Sequence, residues 1–521
     1  YLKPQGNGTE DKLITLSSYG DIDAEGRPVI NGGGTEYSDY SATIMLVNQS
    51  YWTISNFELT NYGQGEEYGV TKYERPYARA GIYLYTYDQE NLVKGLTVEN
   101  CYVHDVVSCV LGDGVGNIAP KMSGGIIALA EWRTPDGQKA GDPNDNVAGF
   151  DGVKLQYNTV YRTMHEGIRT KVQANSGTFN RTCKNISINN NYIEDTLGDG
   201  IVLGEADGNA VVEYNVVNKA AARSLNKVYY AAAWTHFSTG VKFQYNEIYG
   251  TTYGQTDGQA FDADNECYDT LFQYNYSHDN QGGALLLMGS QRNTVYRYNI
   301  SANDATGNNQ EIFQDHSNNG TATGAPIVYN NTLHIAKNGR YLFSSMNTTG
   351  TPEYVTFVNN IVNVKEDVSG LQFSKSNKGI AAGSKIQNNL FTSQKNFGLY
   401  DAGWTDNYYG DAELVNPEAY VDHRDGFATG ERTLASVEEL KKDPLSTLRE
   451  HAANYAPQNT ELVEGKGIDV TTLGLTMDLT EDMMGTPLKD KAAPTLGAIE
   501  VKEEPCVHDP VFTADTANAA I

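Results

Sequence analysis

Short runs of alternating apolar and polar residues recur along this chain, each turning at an asparagine and starting again. VKLQYNTV, VVEYNVV, VKFQYNEI, TLFQYNYS and TVYRYNIS each read as a strand, a turn at Asn and a second strand. The phrase begins as ISNFELTN from 54 and NCYVHD from 100, and it continues as NNYIEDT from 190, NNTLHIA from 330, NNIVNV from 359 and NNLFTS from 388. From Asn158 onward the corner returns at Asn191, Asn215, Asn246, Asn275, Asn299, Asn331, Asn360 and Asn389, in steps of 24 to 33 residues. Self-similarity at such a period is the signature of a stacked repeat.

No repeat holds a helical pattern of 10–15 residues, so a βα barrel or a doubly wound sheet is excluded. Three short strands and three turns per unit describe one coil of a right-handed parallel β-helix, an all-β fold. Asparagine suits a fixed corner because it tolerates the left-handed conformation and its amide can bond the next coil's backbone. A β-propeller needs blades of about 40–50 residues, longer than these steps; trimerisation of the β-helix stays open. The β-helix domain is expected over 1–420. The last coils and a small C-terminal cap with a short helix, LASVEELKKDPLSTLRE at 434–450, follow over 421–505, with a tail at 506–521. Residues 62–90 and 107–150 read as long loop insertions, rich in Gly, Tyr, Asp and Pro, that would wall a groove.

Composition narrows the partners. The 521 residues are 39% hydrophobic with a formal net charge of −27. Such a surface repels phosphate backbones, so no nucleic acid partner is expected, and it favours a neutral substrate over a polyuronate. No apolar run is long enough to span a membrane. The chain opens at Tyr1 without a basic-then-apolar leader, so a mature or trimmed product, extracellular or at the cell surface, is expected. The 35 tyrosines offer an apolar face and a hydroxyl together, which suits sugars and also half-exposed strands. Cys101, Cys109, Cys183, Cys267 and Cys506 are odd in number and lack metal spacing, so they read as small buried residues.

The candidate chemistry lies on the strands that follow the corners: GIRTK (167–171), GIVLGE (200–205), AAAWTH (231–236), GQAFDAD (258–264) and GALLLM (283–288). Alternation points Ile168, Ile201, Phe261 and Ala284 inward and Arg169, Val202, Trp234 and Asp262 outward; Lys171, His236 and Asp264 follow two positions later. Asp262 and Asp264 then share a solvent face, roughly 6.5–7 Å apart along the strand, and Asp257 lies in the turn before them. Paired carboxylates perform glycoside hydrolysis, retaining at about 5–5.5 Å and inverting at wider spacing; Asp257/Asp264 and Asp262/Asp264 both remain as the pair. A structural Ca²⁺ site or a solvated turn would use the same aspartates. Trp234 is expected to be exposed as a sugar platform, with His236 donating a hydrogen bond to substrate. Arg169 and Lys171 bind substrate oxygens or neutralise the aspartates. His165 and Glu166 sit at the same end of a coil, Glu205 faces the groove, and Asp199 and Asp207 serve turns.

The coil series, DGQAFDAD and the following FQYNYSHDNQGGALLLMG resemble glycoside hydrolase family 136, the lacto-N-biosidases. The resemblance spans roughly residues 1–505. It implies a retaining hydrolase that needs no cofactor and releases lacto-N-biose from lacto-N-tetraose. It implies Asp257 as general acid/base and Asp264, seven residues on, as nucleophile, with Asp262 as a supporting carboxylate. It also implies a helical folding-partner domain or subunit, which is expected to be a separate chain or a segment cleaved off, since the sequence reads as β-helix from its start. Two other classes compete: a polysaccharide lyase of the same fold, using Arg169, Lys171 or His236 as base, and a non-catalytic glycan-binding surface protein.

Overall fold

The computed structural model describes residues 1–34, 40–69, 78–87, 91–108, 120–131, 148–173, 181–222, 229–252, 257–307, 311–316, 324–345, 352–375, 379–392, 404–419, 434–475 and 478–501. Three parallel sheets run from Ile14 to Tyr409, and successive coils add one strand to each sheet until the third ends at Gln372–Ser374. The first sheet has 13 strands from Ile14–Ser17 to Trp404–Thr405, the second 13 from Val29–Asn31 to Tyr408–Tyr409, and the third 11 from Tyr40–Val47 to Gln372–Ser374. The chain is an all-β parallel β-helix. Its interior is a stack of apolar rows. On the third sheet one row runs Ile126, Ile168, Ile201, Ala233, Phe261, Leu285, Phe313 and Phe343, all buried in a single core. Aromatic neighbours stack along the axis, with Phe313 and Phe343 at 5.0 Å and Phe243 and Phe272 at 5.0 Å.

The asparagine corner works as a ladder. Asn246 donates from its backbone N and its Nδ2, both at 3.0 Å, to Asn275 Oδ1, and Nδ2 also donates to the Val212 carbonyl at 2.9 Å. The same unit repeats from Asn158 to Asn407. The left-handed residue of each turn is the one before the ladder Asn, and it is often a tyrosine: Tyr157, Tyr214, Tyr245, Tyr274 and Tyr298 have φ between +51° and +57°. A side chain held there costs about 1–2 kcal/mol. The ladder's buried amide bonds offset that cost, and so do stacked rings, at 5.4 Å for Tyr214–Tyr245 and 4.9 Å for Tyr245–Tyr274.

Three expectations are corrected. The segments read as insertions at 62–90 and 107–150 each contain a third-sheet strand, Ala78–Tyr87 and Gly124–Glu131. Both strands are buried on both faces, because Tyr40, Tyr83, Tyr85, Ile127 and Leu129 form a second apolar cluster outside the sheet. Alternation, the usual sign of a strand, is therefore missing there. The inward partner of Phe261 is Leu285, not Ala284; the register differs by one residue from the sequence alignment.

Beyond the last ladder strands the helices Leu434–Lys442 and Ser446–Ala452 are separated at Pro444, which cannot continue a helix. The following chain then runs back along the flank of the coils. Leu448, Tyr455, Val463, Met483 and Leu496 pack on Tyr274, Tyr276, Tyr298, Tyr329, Val358 and Leu390. Cys101, Cys183 and Cys267 are buried free thiols; Cys109, Cys506 and the 506–521 tail lie outside the described residues. Among the described residues no helix is long and apolar enough to cross a membrane.

Candidate active site

The outer face of the third sheet changes character along the axis. One outward row reads Tyr83, Ile127, Arg169, Val202, Trp234, Asp262 and Leu286. Two positions on, Lys171 leads across Gly204, which pairs with His236. A Cβ on Gly204 would come within 2.5 Å of His236 Nε2, so glycine is what lets the imidazole lie there. Asp264 follows, its backbone N donating to the Thr235 carbonyl at 2.8 Å. The expected register of Arg169, Trp234, Asp262, Lys171, His236 and Asp264 on one face is therefore what the structure has.

Their expected exposure is corrected. Trp234 is only 8% exposed, and Arg169, His236, Asp262 and Glu166 are buried as well. The reason is a cover from other coils. Lys121 lies with Nζ 4.2 Å from the Tyr230 ring centroid and 5.2 Å from that of Trp234, and the Arg169 guanidinium sits 5.3 Å from the same indole. Asp257 and Asp264 are half-buried and Asp262, between them, is buried.

An ion chain backs the aspartates. Lys121 Nζ donates to Asp199 Oδ2 and to the Tyr229 carbonyl, each at 2.6 Å. Arg169 Nη1 lies 3.2 Å from Glu166 Oε2 and 3.7 Å from Asp199 Oδ2. Asp199 Oδ1 accepts from the Ala231 N at 2.8 Å. Asp199 is thus a fully buried member of the site and not simply a turn residue, as the sequence reading had it. His165, at φ +101°, shares a hydrogen bond of 3.0 Å with the Tyr230 hydroxyl. That conformation is strained for a non-glycine residue. Glu205 accepts from the Val172 N at 2.9 Å and lies 3.4 Å from His236 Nδ1.

The corner before Phe261 sets the aspartates apart. Asp257 has φ +62° and bridges Tyr230, whose carbonyl accepts from Gly258 N at 2.9 Å. Burial pushes the Asp257 carboxyl up to about 7; Lys121 opposes the rise, and Asp199 and Asp264 add to it. Burial, with Asp264, Asp257 and Asp199 adding, holds Asp262 far above the usual carboxylate range. Asp264 is raised by burial too, but Asn265 donates to Oδ1 from its N at 2.7 Å and its Nδ2 at 2.5 Å, and Lys121 and Lys171 favour the anion. Glu166 is raised by burial and by Asp199. Burial brings Lys171 down to about 8, Arg169 helping, and Glu205 up to about 6. His236 is held neutral, well below its usual value, by burial and by Lys171, Arg169 and Lys121.

Among the described residues several buried polar atoms here have no hydrogen-bond partner, Arg169 Nε, Trp234 Nε1, His236 Nε2 and Asp262 Oδ1 among them. Orphaned groups of this kind are rare and need an explanation; a polar ligand would supply one. Among the described residues no group of three or more His, Cys, Asp or Glu side chains is arranged to hold a metal ion. Sequence reasoning missed Lys121 and Tyr230. Neither belongs to one of the aligned segments, and only the GDG at 198–200, a charge between two glycines ahead of an apolar strand, hinted at the partner that Lys121 meets.

Over 469 residues, 76% of this chain, the sequence is 29% identical to a lacto-N-biosidase of Bifidobacterium longum subsp. longum. The chain is similar to part of a lacto-N-biosidase. It spans 27% of that relative's own length. The native crystal structure of the GH136 lacto-N-biosidase from Eubacterium ramulus matches with a TM-score of 0.51 at 21% identity, over 74% of this chain and 58% of that one, and shares the fold. The selenomethionine derivative of the same protein gives a TM-score of 0.48 at 22% identity, over 73% and 60%. No protein-family model matches the chain.

Proposed function

We propose that this chain is a glycoside hydrolase that cleaves a neutral β-linked oligosaccharide by a retaining double displacement, releasing lacto-N-biose from lacto-N-tetraose. The observation that carries the reading is the split within one acidic cluster. Asp257 has its carboxyl up at about 7, so it holds a proton to give. Asp264 is offered two hydrogen bonds by Asn265 that stabilise its anion. Burial raises both carboxyls, and the two hydrogen bonds offered to Asp264 are the difference in surroundings that suits it to nucleophile and Asp257 to acid.

In this reading Asp264 attacks the anomeric carbon while Asp257 protonates the leaving oxygen. Asp257 then takes a proton from water, which hydrolyses the glycosyl-enzyme ester. Asp262, protonated between them, donates a hydrogen bond and keeps a second negative charge away from the nucleophile. Trp234 Nε1, His236 Nε2 and Arg169 Nε are unpaired groups that bind sugar oxygens. Both chemical roles fall to carboxyl groups and no cofactor is invoked. The homology to a lacto-N-biosidase supports the substrate class, and the net charge of −27 suits a neutral glycan. We further propose that the protein acts outside the cell and that a helical partner assists its folding.

Incubation with lacto-N-tetraose should yield lactose and a disaccharide, with the β-anomer of lacto-N-biose appearing first by proton NMR. An untouched tetrasaccharide with folded protein overturns the reading. The α-anomer first overturns retention alone, and an unsaturated, ultraviolet-absorbing product would make the chain a lyase.

A further inference from the structure

We propose that Lys121 is a positioning residue for this acid chemistry: its ammonium, brought in from another coil, pins the Tyr229–Ala231 corner to the third sheet and supplies the cation against which the three aspartates are set. The inference rests on Asp257 and Asp264 being the reacting carboxyls.

The geometry is a clamp. One ammonium joins the buried Asp199 carboxylate, the Tyr229 carbonyl and the faces of Tyr230 and Trp234. Asp199 in turn holds the Ala231 N, and Tyr230 carries the bridge to Asp257. The position of the acid is therefore linked to Lys121 through two short contacts. The other charges facing this space have carboxylate partners of their own. From strand 166–173, Arg169 meets Glu166 and lies 3.7 Å from Asp199, and Lys171 acts on Glu205 as well as on Asp264. From strand 233–236, His236 is neutral. Lys121 favours the anionic form of Asp257, Asp262, Asp264 and Glu166 alike. An ammonium near a low-dielectric cluster acts on all of its members.

The test compares kcat/KM against pH for the wild type, Lys121→Met, Lys121→Arg and Lys121→Cys, the last before and after aminoethylation, with the wild type carried through the same alkylation. Removing the cation should move both limbs of the profile to higher pH by roughly half a unit or more. Lys121→Arg should keep both limbs in place, and the aminoethyl group should return them. Carboxyl-carbon NMR titration of aspartate-labelled protein should show the same displacement without turnover. Unmoved limbs and unmoved carboxyl titrations in Lys121→Met overturn the proposal, and so does a displacement in Lys121→Arg as large as in Lys121→Met. A wild type that hydrolyses no glycan, yet shows the displacement by NMR, sinks the proposed reaction and leaves the electrostatic role of Lys121 standing.

Discussion

Two buried polar assemblies run along this β-helix, and they are built on opposite principles. In the asparagine ladder each amide hands its hydrogen bonds to the next coil, as Asn246, Asn275 and Asn299 do. In the site on the third sheet, Trp234 Nε1, His236 Nε2, Arg169 Nε and Asp262 Oδ1 have no partner among the described residues. A satisfied network stiffens a structure, whereas an unsatisfied one costs free energy that only a ligand can recover. The ladder therefore carries stability and the site carries function. Substitutions in the two should separate the two properties.

The largest expected effect is on rate. Asp264→Asn removes the nucleophile and should lower kcat/KM by about 10⁴-fold or more. Asp257→Asn should cost roughly 10²–10⁴-fold, and less on an aryl glycoside whose leaving group needs no proton. Neither should lower the melting temperature, since each replaces a carboxyl that burial disfavours as an anion. A large drop in melting temperature with modest loss of activity would put these residues on the ladder's side of the comparison.

The converse experiment is Asn275→Ala. It leaves the Asn246 N and Nδ2 without their acceptor and takes the Nδ2 donor from Asn299 Oδ1 and from the Phe243 carbonyl, while the backbone N of residue 275 still donates to Asn299 Oδ1. Losing partners for several buried groups should cost about 2–4 kcal/mol, read by denaturant unfolding. Activity per folded molecule should stay unchanged.

The sign of a third effect follows from Asp257. A carboxyl whose folded pKa is raised keeps its proton where the unfolded chain has lost it. Its contribution is therefore absent below about pH 4 and increasingly destabilising as pH rises to about 7, then constant. The carboxyl is mostly buried, so the fall should be about 2–4 kcal/mol. Asp257→Asn should flatten the melting temperature between pH 4 and pH 8, mostly by raising the upper end. In the wild type, activity should fall as pH rises past about 7, when the acid loses its proton.

These properties were not equally legible in the sequence. The ladder shows because each coil must place the same amide at the same corner, so Asn158 through Asn389 recur as text. The outward row at Arg169, Trp234 and Asp262 follows from strand alternation alone. Burial of that row did not follow, since its cover comes from Lys121, far away in sequence and outside the aligned segments, and from Tyr230, just before the segment that carries Trp234. The strands Ala78–Tyr87 and Gly124–Glu131 hid for a related reason: with apolar neighbours on both faces they carry no alternation. The corner's left-handed position was shifted by one residue because asparagine's tolerance drew attention to the ladder residue, while Tyr274 before it takes the positive φ.

Tyr274 gives the mildest test of the comparison. Its backbone takes the left-handed turn before Asn275, its ring packs between the coils and the returning C-terminal chain, and its hydroxyl donates to the Glu481 carbonyl at 2.9 Å. If the flank segment braces the ladder, Tyr274→Phe should remove one hydrogen bond while keeping ring and turn. The expected cost is about 0.5–1.5 kcal/mol, with kcat/KM unchanged. Combined with Asn275→Ala, the loss should exceed the sum of the two single changes or fall short of it, because adjacent residues share partners. Strict additivity would mean that the flank and the ladder stabilise the coils independently.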